Sequence, residues 1–99
     1  MSRRIRFTAG FYEDFERYYG YLAEIDIRLA ERAYDAMQKA TKLLEDFPFM
    51  GRKALEDNIF AREMIIPFGS NGYVLLYEVE DDETVTVLAV RHQREDDYH

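Results

Sequence analysis

Two runs of apolar residues at helical spacing, separated by a single aspartate, constrain this chain more than any other feature. Phe11, Phe15, Tyr18, Leu22 and Ile25 recur at intervals of four, three, four and three, which places their side chains on one face of a helix. After Asp26 the same rhythm resumes with Ala30, Ala33, Met37, Ala40, Leu44 and Phe47. Thr8 offers a hydroxyl as N-cap for the first run, and Asp26 offers a carboxylate for the second. The alanines let two helices approach closely, and almost no chain is left for a loop. The spacing therefore predicts a helical hairpin, its first helix over about 9–25 and its second running from Asp26 toward Pro48. Pro48 stops it, because proline has no amide to donate and disfavours helix in the residue before it.

The rest of the chain alternates with period two. Arg4-Ile5-Arg6-Phe7 predicts a short strand with Ile5 and Phe7 facing inward. The stretch from Phe49 to Asn58 has the character of a loop punctuated by Gly51. Three strands are expected after it, at about 59–66, 72–79 and 84–91. Pro67-Phe68-Gly69-Ser70-Asn71-Gly72 is a strong turn signal between the first two, and Asp81-Asp82 turns the second into the third. In the last strand Val85, Val87 and Ala89 alternate with Thr84, Thr86 and Leu88. The order β-α-α-β-β-β implies an α+β fold, a helical hairpin packed on a mostly antiparallel sheet, in one domain over residues 1–99. A hydrophobic fraction of 47% supplies its core. The chain has no cysteine, which removes disulfides, thiolate metal sites and a cysteine nucleophile together. No apolar run approaches the roughly 18 residues that span a bilayer, and the start, MSRRIRFTAG, lacks the apolar segment of a secretory signal. A cytoplasmic protein with no membrane partner is expected.

Net charge is −7, from 20 acidic against 13 basic residues, the opposite of what grips a nucleic-acid backbone. No direct sequence-specific nucleic-acid binding is expected of the chain alone. The charge is uneven, however. Arg3, Arg4 and Arg6 crowd one end, Arg91 and Arg94 the other, and Glu78, Glu80, Asp81, Asp82 and Glu83 form an acidic knot. A local basic face is compatible with that distribution. The knot lacks the spacing of a calcium loop and fits a solvated hairpin turn.

The residues able to carry chemistry are few. His92 ends the last strand beside Arg91 and Arg94; such a group suits acid–base work with arginines on a phosphate, or it is a surface histidine at a strand end. Arg62 alternates with Phe60 and Met64, so a charge on an apolar face needs either an internal salt bridge or a partner. Tyr12, Tyr19 and Tyr21 fall off the apolar stripe of the first helix, and aromatics left over after a core is filled mark interfaces or pad its edges. His99 with Asp96 and Asp97 is too poorly preorganised for a metal site. There is no phosphate-cradling loop, no serine–histidine–aspartate set and no paired carboxylates in an active-site context. No catalytic residue, metal or cofactor is assigned.

The ordered set of short motifs goes further. Thr8, Asp14-Phe15 and Tyr21-Leu22-Ala23 resemble the first helix of ParE toxins in the RelE/ParE superfamily. Leu44, Pro48 and Gly51-Arg52 resemble that family's helix end and P-x-x-G-R turn, and Arg62 falls where the family places a strand arginine. Gly72-Tyr73-Val74-Leu75-Leu76-Tyr77 is similar to its Y-x-v-x-Y strand, and Val87-Leu88-Ala89-Val90-Arg91-His92-Gln93-Arg94 to its closing i-l-x-v-x-H-x-R motif. The resemblance implies the toxin of a type II toxin–antitoxin pair, held inactive by a ParD-like antitoxin and poisoning DNA gyrase. The RelE branch, which cuts mRNA on the ribosome, is the alternative; Arg62, His92 and Tyr98 would then serve catalysis. A non-toxic interaction module of the same fold is a third possibility. On the gyrase reading Arg91, His92 and Arg94 contact the target, while Tyr12, Tyr19, Phe60 and Arg62 contact the antitoxin.

Overall fold

The computed structural model describes residues 2–94. Chain order is β1 (Arg4–Phe7), α1 (Ala9–Ile25), α2 (Ile27–Asp46), β2 (Arg52–Leu55), β3 (Asn58–Phe68), β4 (Asn71–Val79) and β5 (Thr84–His92). Both helices begin at the capping residues. The Thr8 hydroxyl accepts from Phe11 N–H at 3.1 Å, so one of the orphan donors of the first turn is satisfied. Asp26 does two things at once. Its N–H closes α1 onto the Leu22 carbonyl at 2.9 Å, and its carboxylate accepts from Arg28 N–H, also at 2.9 Å. One extended residue thus ends one helix and begins the next, which is why the hairpin has no loop. The Arg28 guanidinium grips the same carboxylate at 2.8 Å and holds it below its ordinary pKa.

The helices lie on one face of a five-stranded sheet of order β1-β5-β4-β3-β2, with α1 against β5 and α2 against β1 and β3. β1 runs parallel to β5 from Arg4↔Thr84 to Phe7↔Val87, and the remaining pairs are antiparallel. Ala30, Ala33, Met37, Ala40 and Leu44 are buried at the spacing expected, the last four in one core with Leu75, Tyr77, Val85 and Val87. The two stripes overrun the core at their ends. Ile25 and Phe47 are each 60% exposed, the first at the hairpin joint and the second past the end of α2. Phe15, Tyr18 and Leu22 are only partly buried. Ile5 packs against the core, but Phe7 lies at its margin against the rings of Phe11 and Tyr12.

Three sequence expectations change. Residues 49–58 are not simply a loop, since they contain β2, which pairs Arg52 with Glu63 and Lys53 with Arg62 on β3. An edge strand of four residues needs no buried face and therefore no alternation, so nothing in its pattern announces it. The α+β class stands with one strand more. Next, the alternation in β5 breaks at Leu88, which is left over where Tyr77 pairs with Val87 and Leu76 with Ala89. Beyond this bulge Val90 belongs to the core. Finally, two of the three N-terminal arginines face acidic partners. Arg3 reaches Asp82 at 4.0 Å and Arg6 reaches Glu80 at 3.6 Å, so the acidic turn between β4 and β5 offsets much of their charge, while Arg4 is exposed. That turn is itself closed by Asp81, whose carboxylate accepts from the N–H groups of Glu83 and Thr84 at 2.8 Å each. Among the described residues no helix is long and apolar enough to cross a membrane.

Candidate functional site

The end of β5 carries the first group of candidates. Adjacent strand residues face opposite sides, and the structure accordingly divides the group. The ring of His92 stands edge-on to Tyr73 at 5.8 Å, on the helix side of the sheet. Its Nδ1 accepts from the Arg94 N–H at 3.1 Å. Arg94 curls back to Asn71, donating from Nε to Oδ1 at 3.2 Å. Arg91 lies on the other face, its side chain only 12% exposed and 3.8 Å from the Glu63 carboxylate, which Arg52 also approaches at 3.2 Å. His92 and Asn71 border an open hollow of about 480 Å³ with Tyr18, Phe68 and Tyr73 among its walls. Burial, assisted by the neighbouring Tyr18, pushes the Tyr73 phenol up, so that wall is uncharged.

The second group lies on the outer side of the helical hairpin. Tyr12 is 52% exposed on α1 and Tyr19 is half-buried one side over. Two adjoining hollows of about 590 and 300 Å³ run between the helices and share Phe15, Glu16 and Tyr34. Tyr19 borders the larger and Tyr12 the smaller. Phe15 stacks on Phe11 with centroids 6.1 Å apart and touches Tyr19 and Tyr34 at 6.0 and 6.2 Å. It is a groove floor more than a core residue. Tyr34 was missed from sequence, although it stands off the α2 stripe just as Tyr12 stands off that of α1, so the same test finds it.

Arg62 and Phe60 lie elsewhere, at the start of β3. Phe60 is 48% exposed and meets the exposed Phe49 ring at 6.2 Å. Among the described residues Arg62 meets no carboxylate, so it forms no internal salt bridge. Its guanidinium donates to the carbonyls of Ile59 at 2.7 Å and Gly51 at 3.0 Å, and lies 5.2 Å above the Phe49 ring. It therefore ties down the loop before β2, a role shared with Tyr77, whose hydroxyl accepts from Gly51 N–H at 3.0 Å. A side chain satisfied by nearby backbone carbonyls leaves no trace in residue spacing.

The structure also separates Arg62 from His92. Along β4 they pair with Tyr77 and Tyr73 respectively, on opposite sides of the strand. Four residues correspond to roughly 13 Å of strand, too far for one reacting atom to touch both. Tyr98, Asp96, Asp97 and His99 lie outside the described residues, and among those described no three potential metal ligands come together. Compared with known proteins, the chain matches a family model described as the ParE toxin of type II toxin–antitoxin system, parDE, over residues 5–97. No curated protein matches it. Since that span holds the whole hairpin and nearly all of the sheet, the chain belongs to the ParE toxin family.

Proposed function

We propose that this toxin acts by binding DNA gyrase, with the end of β5 as its target-contacting surface, and that a ParD-like antitoxin neutralises it. The observation that carries the reading is the separation of Arg62 from His92. Cutting RNA needs a positioned acid, base and phosphate clamp within reach of one phosphodiester, and the two candidates for that work stand at different places on the sheet. Arg62 is moreover committed to the carbonyls of Ile59 and Gly51. Poisoning a topoisomerase asks only for a binding surface, since the target itself breaks the DNA. His92 and Arg94 are the residues proposed for it, while Arg91, drawn to Glu63 on the other face, supports the strand end from behind. The net charge of −7 and the pairing of Arg3 and Arg6 with the acidic turn also favour a protein target over RNA.

For the antitoxin, the aromatic groove beside Tyr12 and Tyr19 and the pair of rings at Phe49 and Phe60 are the proposed contacts, with Arg62 acting there by holding the Phe49 loop. Buried aromatic anchors carry most of the energy in such interfaces. The test is induction of the toxin alone, at matched protein levels, in its parent form and as His92→Gln and Arg94→Glu. Glutamine keeps a polar planar group but cannot cycle a proton near neutral pH. His92→Gln is expected to keep most of its toxicity and to leave double-strand breaks in place, while Arg94→Glu weakens both. Arg91 is not the residue to reverse, because a glutamate there faces Glu63 and its effect on folding would mask its effect on binding. A loss of about 10² or more in His92→Gln, the scale of acid–base catalysis, with mRNA fragments from the parent, overturns the gyrase reading for the ribosomal one.

A further inference from the structure

β1 ends too early to cover β5. The parallel ladder stops at Phe7↔Val87, yet β5 continues to His92. In an antiparallel pair, alternate residues direct their backbone groups away from the partner, so past Val87 the outward groups of β5 have no strand to meet. They meet α1. The Thr8 hydroxyl donates to the Leu88 carbonyl at 2.9 Å, the Asp14 carboxylate accepts from Val90 N–H at 3.2 Å, and the Tyr18 hydroxyl accepts from His92 N–H at 2.9 Å. Asp14 and Tyr18 are one helical turn apart and so project from the same face, matching the two-residue repeat of the strand. Arg17 braces both. It lies 3.7 Å from Asp14 Oδ1, donates to the Tyr18 hydroxyl at 3.3 Å and covers the Tyr18 ring at 4.9 Å.

Asp14 is 5% exposed and sits on a helix whose apolar stripe does not include it. A buried carboxylate is expensive unless its oxygens are bonded, and this one is placed where a strand's backbone acceptor would otherwise be. We propose that Asp14 and Tyr18 are positioning residues that stand in for the missing strand and fix the strand end bearing Arg91, His92 and Arg94 in the conformation that meets the target. The proposal rests on the reading of that strand end as the target surface. Its consequence is specific. The His92 N–H is held by the Tyr18 phenolic oxygen, and from His92 Nδ1 the hold passes on to Arg94.

Tyr18→Phe removes that oxygen and keeps the ring against Tyr73. In the full-length chain the amide exchange of His92 is expected to quicken by up to about tenfold, the scale of one hydrogen bond's net contribution, while Leu75 and Val85 exchange as before. Toxicity on induction is expected to fall by a similar factor, and the His92 ring resonances to shift. Asp14→Asn keeps an acceptor for Val90 N–H and is expected to retain more toxicity than Asp14→Leu. Unchanged exchange at His92 in Tyr18→Phe overturns the proposal, and so does faster exchange at Leu75 and Val85 alike, which marks a general loss of stability. Faster exchange confined to His92, with toxicity intact although Arg94→Glu is impaired, overturns the positioning role alone. If Arg94→Glu and Tyr18→Phe are both fully toxic, the reading of the strand end fails and the proposal falls with it.

Discussion

Gly51 is the residue on which the chain turns from the hairpin into the sheet. A Cβ at this position would stand 2.5 Å from the Glu63 carbonyl oxygen and 2.7 Å from the Tyr77 hydroxyl, and the first of these is backbone that cannot swing aside. The tightness follows from the bonds that close the loop, Gly51 N–H to Tyr77 and Arg62 to the Gly51 carbonyl. Gly51→Ala must therefore push the loop off β3, at an expected cost of about 1–3 kcal/mol, the usual range for overpacking. In a domain of about 100 residues that lowers the thermal midpoint by several degrees. Thermal unfolding followed by circular dichroism checks it; a midpoint equal to that of the parent would mean that this loop is not held as described. Tyr77 adds a second constraint, since burial pushes its phenol up and keeps it neutral at any physiological pH.

Among the elements, the hairpin separates two kinds of apolar residue that look alike in sequence. Leu44 is fully buried between α2 and the sheet, whereas Phe15 floors the groove between the helices. Leu44→Ala is expected to cost about 2–5 kcal/mol, and Phe15→Ala less, with its main effect on neutralisation by the antitoxin. Equal losses of stability in the two variants, measured by denaturant unfolding, would place Phe15 in the core after all. The joint between the helices has a pH signature. Arg28 lowers the pKa of Asp26 from 3.8, first through its side chain and then through its N–H. A carboxylate with a depressed folded pKa stabilises the fold above its unfolded pKa and ceases to do so as pH falls through the folded one. The contribution is thus present at neutral pH and disappears below about pH 4. Asp26→Asn should melt earlier than the parent at pH 7, with the gap narrowing in acid. A gap independent of pH would assign the effect to capping geometry alone. Both helix boundaries were legible because capping is local chemistry, a hydroxyl at Thr8 and a carboxylate at Asp26 within three residues of the amides they bind. β2 was not legible, since its pairing with β3 is set by the loop closed at Gly51 and not by its own pattern. The phase of β5 after Leu88 was hidden for the same reason, because a bulge is a property of two strands.

On the scale of the whole molecule, charge and aromatic surface are arranged in separate places. The acidic turn takes up Arg3 and Arg6, Glu63 takes up Arg52 and Arg91, and the exposed aromatics gather on the hairpin and beside β2. Sequence position made Arg91, His92 and Arg94 look like one cluster, but the alternation of strand faces sends Arg91 to Glu63 and leaves His92 and Arg94 together with Asn71. The aromatic candidates Tyr12 and Tyr19 were legible because they depart from a helical stripe, which is one-dimensional information; the tie between α1 and the end of β5 is not, because it joins residues 74 and 76 positions apart. On the proposed reading, a molecule built this way acts by offering surfaces to other proteins. The most direct measurement mixes the purified toxin with DNA gyrase, supercoiled plasmid and ATP and follows the linear DNA released on protein denaturation. Linear DNA that rises with toxin concentration and requires gyrase is the expected result; no linear DNA at any concentration, with the same preparation cutting mRNA on translating ribosomes, would contradict it.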